Sequence, residues 1–139
     1  MRLGLLIING QNRMSLGKKL PFDFVLDYLY PLEIEIKSMF GVSTLYVHHK
    51  IVLALRDKPQ AIESNGIWIA TSKEHHESLR KDLPSITSIP LLGDGETGWQ
   101  ILSSADDYFE EQAIKICEMI KNNDPRIGKI PKPKKKKAN

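Results

Sequence analysis

The apolar pattern of this chain changes period at Pro31, and that switch constrains the fold more than any other feature. Before it, Phe22, Val25, Leu26 and Leu29 recur at i, i+3, i+4 and i+7, one apolar stripe on a helix. Pro31 stops that helix, because it lacks the N–H and its ring clashes with the preceding turn. After it, Leu32, Ile34 and Ile36 alternate with Glu33, Glu35 and Lys37, the period of a half-buried strand, which Gly41 breaks. Two apolar runs, Thr44–Val47 and Ile51–Leu55, then flank His48-His49-Lys50 and read as a hairpin, although its turn lacks the usual Asn-Gly or Asp-Gly.

Further along, a loop from Pro59 ends in the turn signal Asn65-Gly66, and Ile67-Trp68-Ile69-Ala70 is a strand. Thr71-Ser72-Lys73-Glu74 has the spacing of a capping box, so a helix is expected from Ser72 to about Asp82, ending before Pro84. Ile89-Pro90-Leu91-Leu92 reads as a short strand that its proline confines to an edge. Gly93 to Gly98 is a turn-rich loop, and Trp99-Gln100-Ile101-Leu102 is the last strand. Ser104 is the expected cap of a final helix, with Asp106 and Asp107 at its positive end and Phe109, Ala113, Ile116 and Ile120 as its buried stripe. Asn122-Asn123-Asp124-Pro125 terminates it.

Short connections within the strand groups favour antiparallel pairing. Helices bracket groups of strands instead of following each strand, so the fold class is α+β and not doubly wound α/β. The expected architecture is a two-layer sandwich, an antiparallel sheet of five to six strands with helices packed on one face. Its order is helix, three or four strands, helix, two strands, helix. No internal repeat interrupts it.

The 139 residues allow one domain, and the net charge of +3 hides an uneven distribution. Residues 1–20 hold four bases and no acid, and residues 126–139 hold seven bases and no acid. The stretch between carries nine bases against seventeen acids, a net −8. The expected organisation is therefore a basic leader over 1–20, a domain over 21–125 and a basic, disordered tail over 126–139. The leader's apolar run is too short for a signal peptide. It reads as a short edge strand, a disordered extension, or a start-site extension of a chain that begins at Met14. No stretch is long and apolar enough to cross a membrane, and the single cysteine excludes an intrachain disulfide, so a cytoplasmic protein is expected.

Nothing completes a catalytic motif. His48-His49 on a hairpin and His75-His76 on a helix chelate poorly as adjacent pairs, because neighbours point apart, and no i, i+4 histidine pair exists. Cys117 falls near the buried stripe at the C-terminal end of the last helix and reads as a core residue, not a nucleophile. Asp106, Asp107, Glu110 and Glu111 are explained by the helix dipole. The Gly93–Gly98 loop has neither G-x-G-x-x-G nor a phosphate-loop lysine, and Ser103 and Ser104 lack a nucleophile elbow. An unrecognised enzyme site around Trp99 and that loop is the remaining catalytic reading. No cofactor or metal is expected. Trp68, Tyr46 and His48 fall out of phase with Leu45, Val47, Ile67 and Ile69, which makes Tyr46 and Trp68 candidates for an interaction surface on the helix-free face. The tail lysines Lys132, Lys134, Lys135, Lys136 and Lys137 are the candidate nucleic-acid contacts, since clustered lysines bind phosphates without reading sequence. The −8 domain would oppose that contact.

Leu29-Tyr30-Pro31-Leu32 and Met39-Phe40-Gly41-Val42-Ser43-Thr44-Leu45-Tyr46-Val47 resemble the TfoX/Sxy N-terminal domain family. Members share a Leu-x-Pro-Leu step, a Met-Phe-Gly-Gly turn and a Gly-x-Tyr strand leading into a hairpin. Here Pro31, Met39, Phe40, Gly41 and Tyr46 carry the pattern, Val42 stands at the second glycine, and His48-His49-Lys50 replaces an Asp-Gly turn. The likeness covers residues 22–70 well. It implies a two-layer, YjbR-like α+β domain without catalytic residues, linked to regulation of competence for DNA uptake. Together these features predict a small non-enzymatic regulatory or protein-interaction module, with a protein partner or a homodimer. The alternative is a nucleic-acid-associated protein acting through its tail, linked to competence or transcription regulation.

Overall fold

Where the apolar period changes, helix gives way to sheet. The computed structural model describes residues 7–8, 20–39, 41–92 and 98–131, with only backbone described for the first pair. Helix α1 spans Phe24–Leu29 and buries Val25, Leu26 and Leu29. After the Pro31 turn the chain enters β2 (Ile34–Met39), which pairs on one side with a two-residue strand of the leader, β1 (Ile7–Ile8). Strands β3 (Val42–Val47) and β4 (Lys50–Arg56) form the expected hairpin. Its turn places His48 at φ 52° and His49 at φ 67°, so two histidines take the left-handed positions that Asn-Gly usually fills. Strand β5 (Gly66–Ile69), helix α2 (His76–Asp82), β6 (Thr87–Ser88), β7 (Gln100–Ser103) and helix α3 (Phe109–Lys121) complete the order.

The class expectation holds: this is an α+β fold with an antiparallel sheet. The sheet has seven strands in the order β1-β2-β3-β4-β5-β7-β6, two more than the lower expectation because β1 and β6 are two-residue strands at the edges. Ile34, Leu45, Leu53, Leu55, Ile67, Ile69 and Leu102 point to one face, where they meet α1, α2 and α3. Phe109 joins α3 to α1 through edge contacts with Phe22 and Phe24, at ring separations of 5.2 and 6.1 Å. On the opposite face Val42, Ala54, Trp68, Ile89 and Ile101 form a second, smaller apolar cluster.

Several local expectations are corrected. Ser72 makes no side-chain cap, and Thr71 Oγ donates to the Arg126 carbonyl at 2.7 Å, so no capping box forms and a 3-10 turn over Lys73–His75 leads into α2. Ile89–Leu92 is not a strand, because Pro90–Leu92 closes a 3-10 turn. Helix α3 starts five residues after Ser104; Asp106 Oδ1 instead accepts from the Tyr108 N–H and the Ser85 hydroxyl. The domain also extends beyond both predicted boundaries. Leu20 belongs to the core, and the run assigned to the tail packs on the fold as far as Lys129. Ile127, the one large apolar residue early in that run, is only 2% exposed, and Gly128 and Lys129 bond to Ala70 and Ile51.

Arg126 closes this clasp. Its guanidinium donates to both oxygens of Asp124 (3.0 and 2.8 Å), to Asp82 (2.9 Å) and to Ser78 (2.7 Å). The Arg126 hydrogen bonds, partly opposed by burial, hold the Asp124 carboxyl below its ordinary 3.8. A depressed folded value means that this stability is complete above the unfolded value and is lost as pH falls through the folded one. We expect wild type to exceed Asp124→Asn in urea midpoint at about pH 6, with the gap narrowing as pH drops below 3.8. A backbone constraint supplies a second expectation. Gly66 sits at φ +145°, and a Cβ there would run into the Leu102 carbonyl oxygen and the Ser104 nitrogen. Gly66→Ala should therefore cost at least about 2–3 kcal/mol, seen as a fall of roughly 10 °C in melting temperature.

Candidate functional site

The sheet face without helices carries an open groove of about 570 Å³. Its floor is Val42, Ala54 and Trp68, from the three central strands. Met39 forms one wall, and Leu91, Leu92 and Trp99 form the other. The floor is deep because Ala54 is small where its neighbours along β4 are large. Ile51 reaches the same groove because β4 carries a bulge. Tyr46 pairs with Ile51 and Leu45 pairs with Leu53, which leaves Val52 unmatched and sends Val52 and Leu53 both to the helix side.

One turn positions most of these groups. Residues Ile62–Ser64 form a 3-10 turn entered through Ala61 in the left-handed conformation (φ 48°). The Ala61 carbonyl accepts from Arg56 Nη1 at 2.9 Å and the Gln60 carbonyl accepts from Nη2 at 3.1 Å. The Ser64 carbonyl accepts from Trp68 Nε1 at 2.9 Å, and its hydroxyl accepts from the Leu91 N–H at 2.8 Å. The Asn65 side chain accepts from Arg56 Nη1 (2.8 Å) and from the Lys58 N–H (2.9 Å), and donates to the Lys58 carbonyl (2.9 Å). Floor, far wall and cationic end are thus tied to residues 60–65. Lys58 crosses to the β2–β3 turn, where its Nζ lies 2.5 Å from the place a Cβ would take on Gly41.

Electrostatically the groove differs from the domain that carries it. Among the described residues its lining contains Arg56 and Lys58 but no acid, and neither cation has a carboxylate partner. Its remaining polar side chain is the Thr44 hydroxyl. Among the described residues the lining therefore holds donors and apolar surface, but no nucleophile–base pair and no paired carboxylates for acid–base chemistry.

The sequence candidates fall in different places. Trp68 is on the groove floor and only 9% exposed, so it offers a ring face and no free N–H. Tyr46 is on the same side but 6% exposed, with the Lys37 ammonium 4.9 Å over its ring, and it is not part of the groove lining. Neither is an exposed aromatic: Lys37 lies over Tyr46, and Trp68 packs with Val42, Ala54, Ile89 and Ile101. Met39 and Gly41 border the groove, Pro31 lies at the end of α1, and Phe40 is outside the described residues, as are Lys132, Lys134, Lys135, Lys136 and Lys137. Much of the Gly93–Gly98 loop is also outside them, but Trp99 is in the groove wall. Arg56, Asn65 and the Leu91-Leu92 pair were not foreseen. An alanine two residues before an arginine at the end of an aliphatic strand was the available signal.

The other polar candidates lie elsewhere. Cys117 is sealed between α3 and α1, and burial pushes its thiol up to about 12. His76 bonds the Gly98 carbonyl at 2.7 Å and His75 approaches Glu74. Among the described residues no three His, Cys, Asp or Glu side chains come together as a metal site, and no helix is long and apolar enough to cross a membrane. Comparison with known proteins returns no matching family model, no matching curated protein and no matching solved structure.

Removing the side chain that locks the cationic end should loosen the whole groove. Asn65→Ala deletes three hydrogen bonds, one of them to a buried guanidinium, so we expect a loss of about 2–4 kcal/mol. Ser64→Ala leaves only the Leu91 N–H without its acceptor and should cost about 1 kcal/mol. Urea unfolding of the two variants checks the order.

Proposed function

We propose that this chain is a small non-enzymatic interaction module of the TfoX N-terminal type, working through the groove on the helix-free sheet face. The observation that carries this reading is the composition of the groove among the described residues: apolar walls, a tryptophan floor, two cations without a carboxylate partner and no acid–base or nucleophilic pair. A site of this size, lined mostly by apolar groups with a few convergent polar ones, suits binding. Its rim supports the same view, since Leu91 and Leu92 are 49% and 38% exposed. A regulatory role, with binding as the signal, follows from that reading.

Both tryptophans of the chain, Trp68 and Trp99, line the groove, so intrinsic fluorescence reports on its occupancy. A neutral apolar dye, N-phenyl-1-naphthylamine, is expected to bind wild type and quench the tryptophan emission. Leu91→Glu/Leu92→Glu, which charges the rim without touching the core, should weaken that binding at least fivefold. Dye binding indifferent to the double substitution would overturn the groove as the binding surface.

A further inference from the structure

The cationic end of the groove has an arrangement that plain apolar binding does not use. Arg56 is only 5% exposed, yet no carboxylate accompanies it among the described residues. Burying a charge is unfavourable unless it is paired and hydrogen-bonded. Here carbonyls and one amide take three of the five N–H groups: both on Nη1 and one on Nη2. Among the described residues no acceptor meets the Nε–H or the second Nη2–H. Among the described residues no side-chain nitrogen or oxygen shut off from solvent lacks a hydrogen bond, and Arg56 lines the groove. Lys58, fixed at its backbone by the same Asn65 that holds Arg56, brings to the same end an ammonium that has no anionic partner among the described residues. Thr44 also lines the groove, on the strand beside β4 and directly opposite Ala54.

We infer that the groove takes an amphipathic carboxylate, a medium-chain apolar acid whose tail lies over Val42, Ala54 and Trp68 and whose head meets Arg56 and Lys58. A guanidinium with free N–H groups binds carboxylate oxygens through charge-assisted bonds, and an ammonium beside it adds a second donor. Among the described residues the lining holds two cations and no acid, inside a fold whose residues 20–131 carry eleven bases against seventeen acids, and that local excess of positive charge is complementary to an anion. The apolar length supplies affinity, and the cationic end sets polarity and orientation. The inference rests on the groove being the binding surface and adds the chemistry of its occupant.

The test displaces N-phenyl-1-naphthylamine from the full chain with decanoate and, separately, with 1-decanol, which has the same tail and no charge. Decanoate is expected to reach half-displacement at a concentration at least tenfold below that of decanol. Raising salt from 0.05 to 0.5 M should shrink that ratio. Lys58→Glu should reduce it at least fivefold, and Arg56→Lys, which keeps the charge but removes the planar donor edge, should reduce it less. Thermal melts confirm that each variant is folded; if either is not, the salt series on wild type carries the test. Equal potency of decanoate and decanol would overturn the carboxylate and leave the groove standing, whereas failure of the dye itself to bind would remove the groove reading. A wild-type dimer that becomes monomeric in Leu91→Glu/Leu92→Glu, with decanoate unable to displace the dye, would place a second copy in the groove and also overturn the inference.

Discussion

The buried contact between Asn65 and the Arg56–Lys58 stretch is the interaction on which the helix-free face depends. A short polar side chain with one acceptor and one donor satisfies a guanidinium and both backbone groups of Lys58 at once. That holds the end of β4 against the turn preceding β5. Ser64, next to it, anchors the Trp68 indole and the 3-10 turn that carries Leu91 and Leu92. An alanine at 65 would leave a buried cation short of an acceptor, and the penalty for such a group exceeds the gain of the bond itself. The groove is therefore a consequence of a polar turn and not merely of missing side chains.

The two faces of the sheet are treated differently by the same alternating strands. On one, aliphatic side chains from five strands are sealed by three helices, with Cys117 and Ile127 filling the periphery. On the other, a cluster around Trp68 is only partly covered, by Ile89 and the turn after it. The clasp through Arg126 belongs to the helix side and ties the chain after α3 to α2 through Asp82 and Ser78. A cation counted as part of a basic end is thus committed to internal pairing, and the clasp leaves the groove face untouched.

Much of the architecture was legible in residue order. The helix before Pro31, which starts at Phe24 and leaves Phe22 outside it at φ 53°, the alternation after it, the hairpin and the stripe of α3 appear in the structure, because each element buries one face and needs its apolar residues at that element's period. The signals that failed were those of single polar residues. Thr71 has the spacing of a cap, but the Arg126 carbonyl competes for its hydroxyl across the fold. Ser104 precedes an acidic run, but α3 begins only at Phe109, and Asp106 Oδ1 accepts the Tyr108 N–H beside its start. Ile127 sits among cations and still reaches the core. Tyr46 and Trp68 were assigned to the correct face and the wrong environment, since alternation gives direction and not cover.

By itself the sequence determined the class of fold, the antiparallel pairing and which residues of β3 and β5 meet the helices, since these follow from periodicity and short connections within a few residues. The tertiary structure alone decided the groove. Its floor depends on an unpaired Val52 that shifts the register of β4, its wall on a turn folded back from residues 90–92, and its charge on Arg56 and Lys58 meeting Asn65 across a loop. Each is a contact between segments whose local patterns say nothing about one another, and only the closed chain brings them within hydrogen-bonding distance.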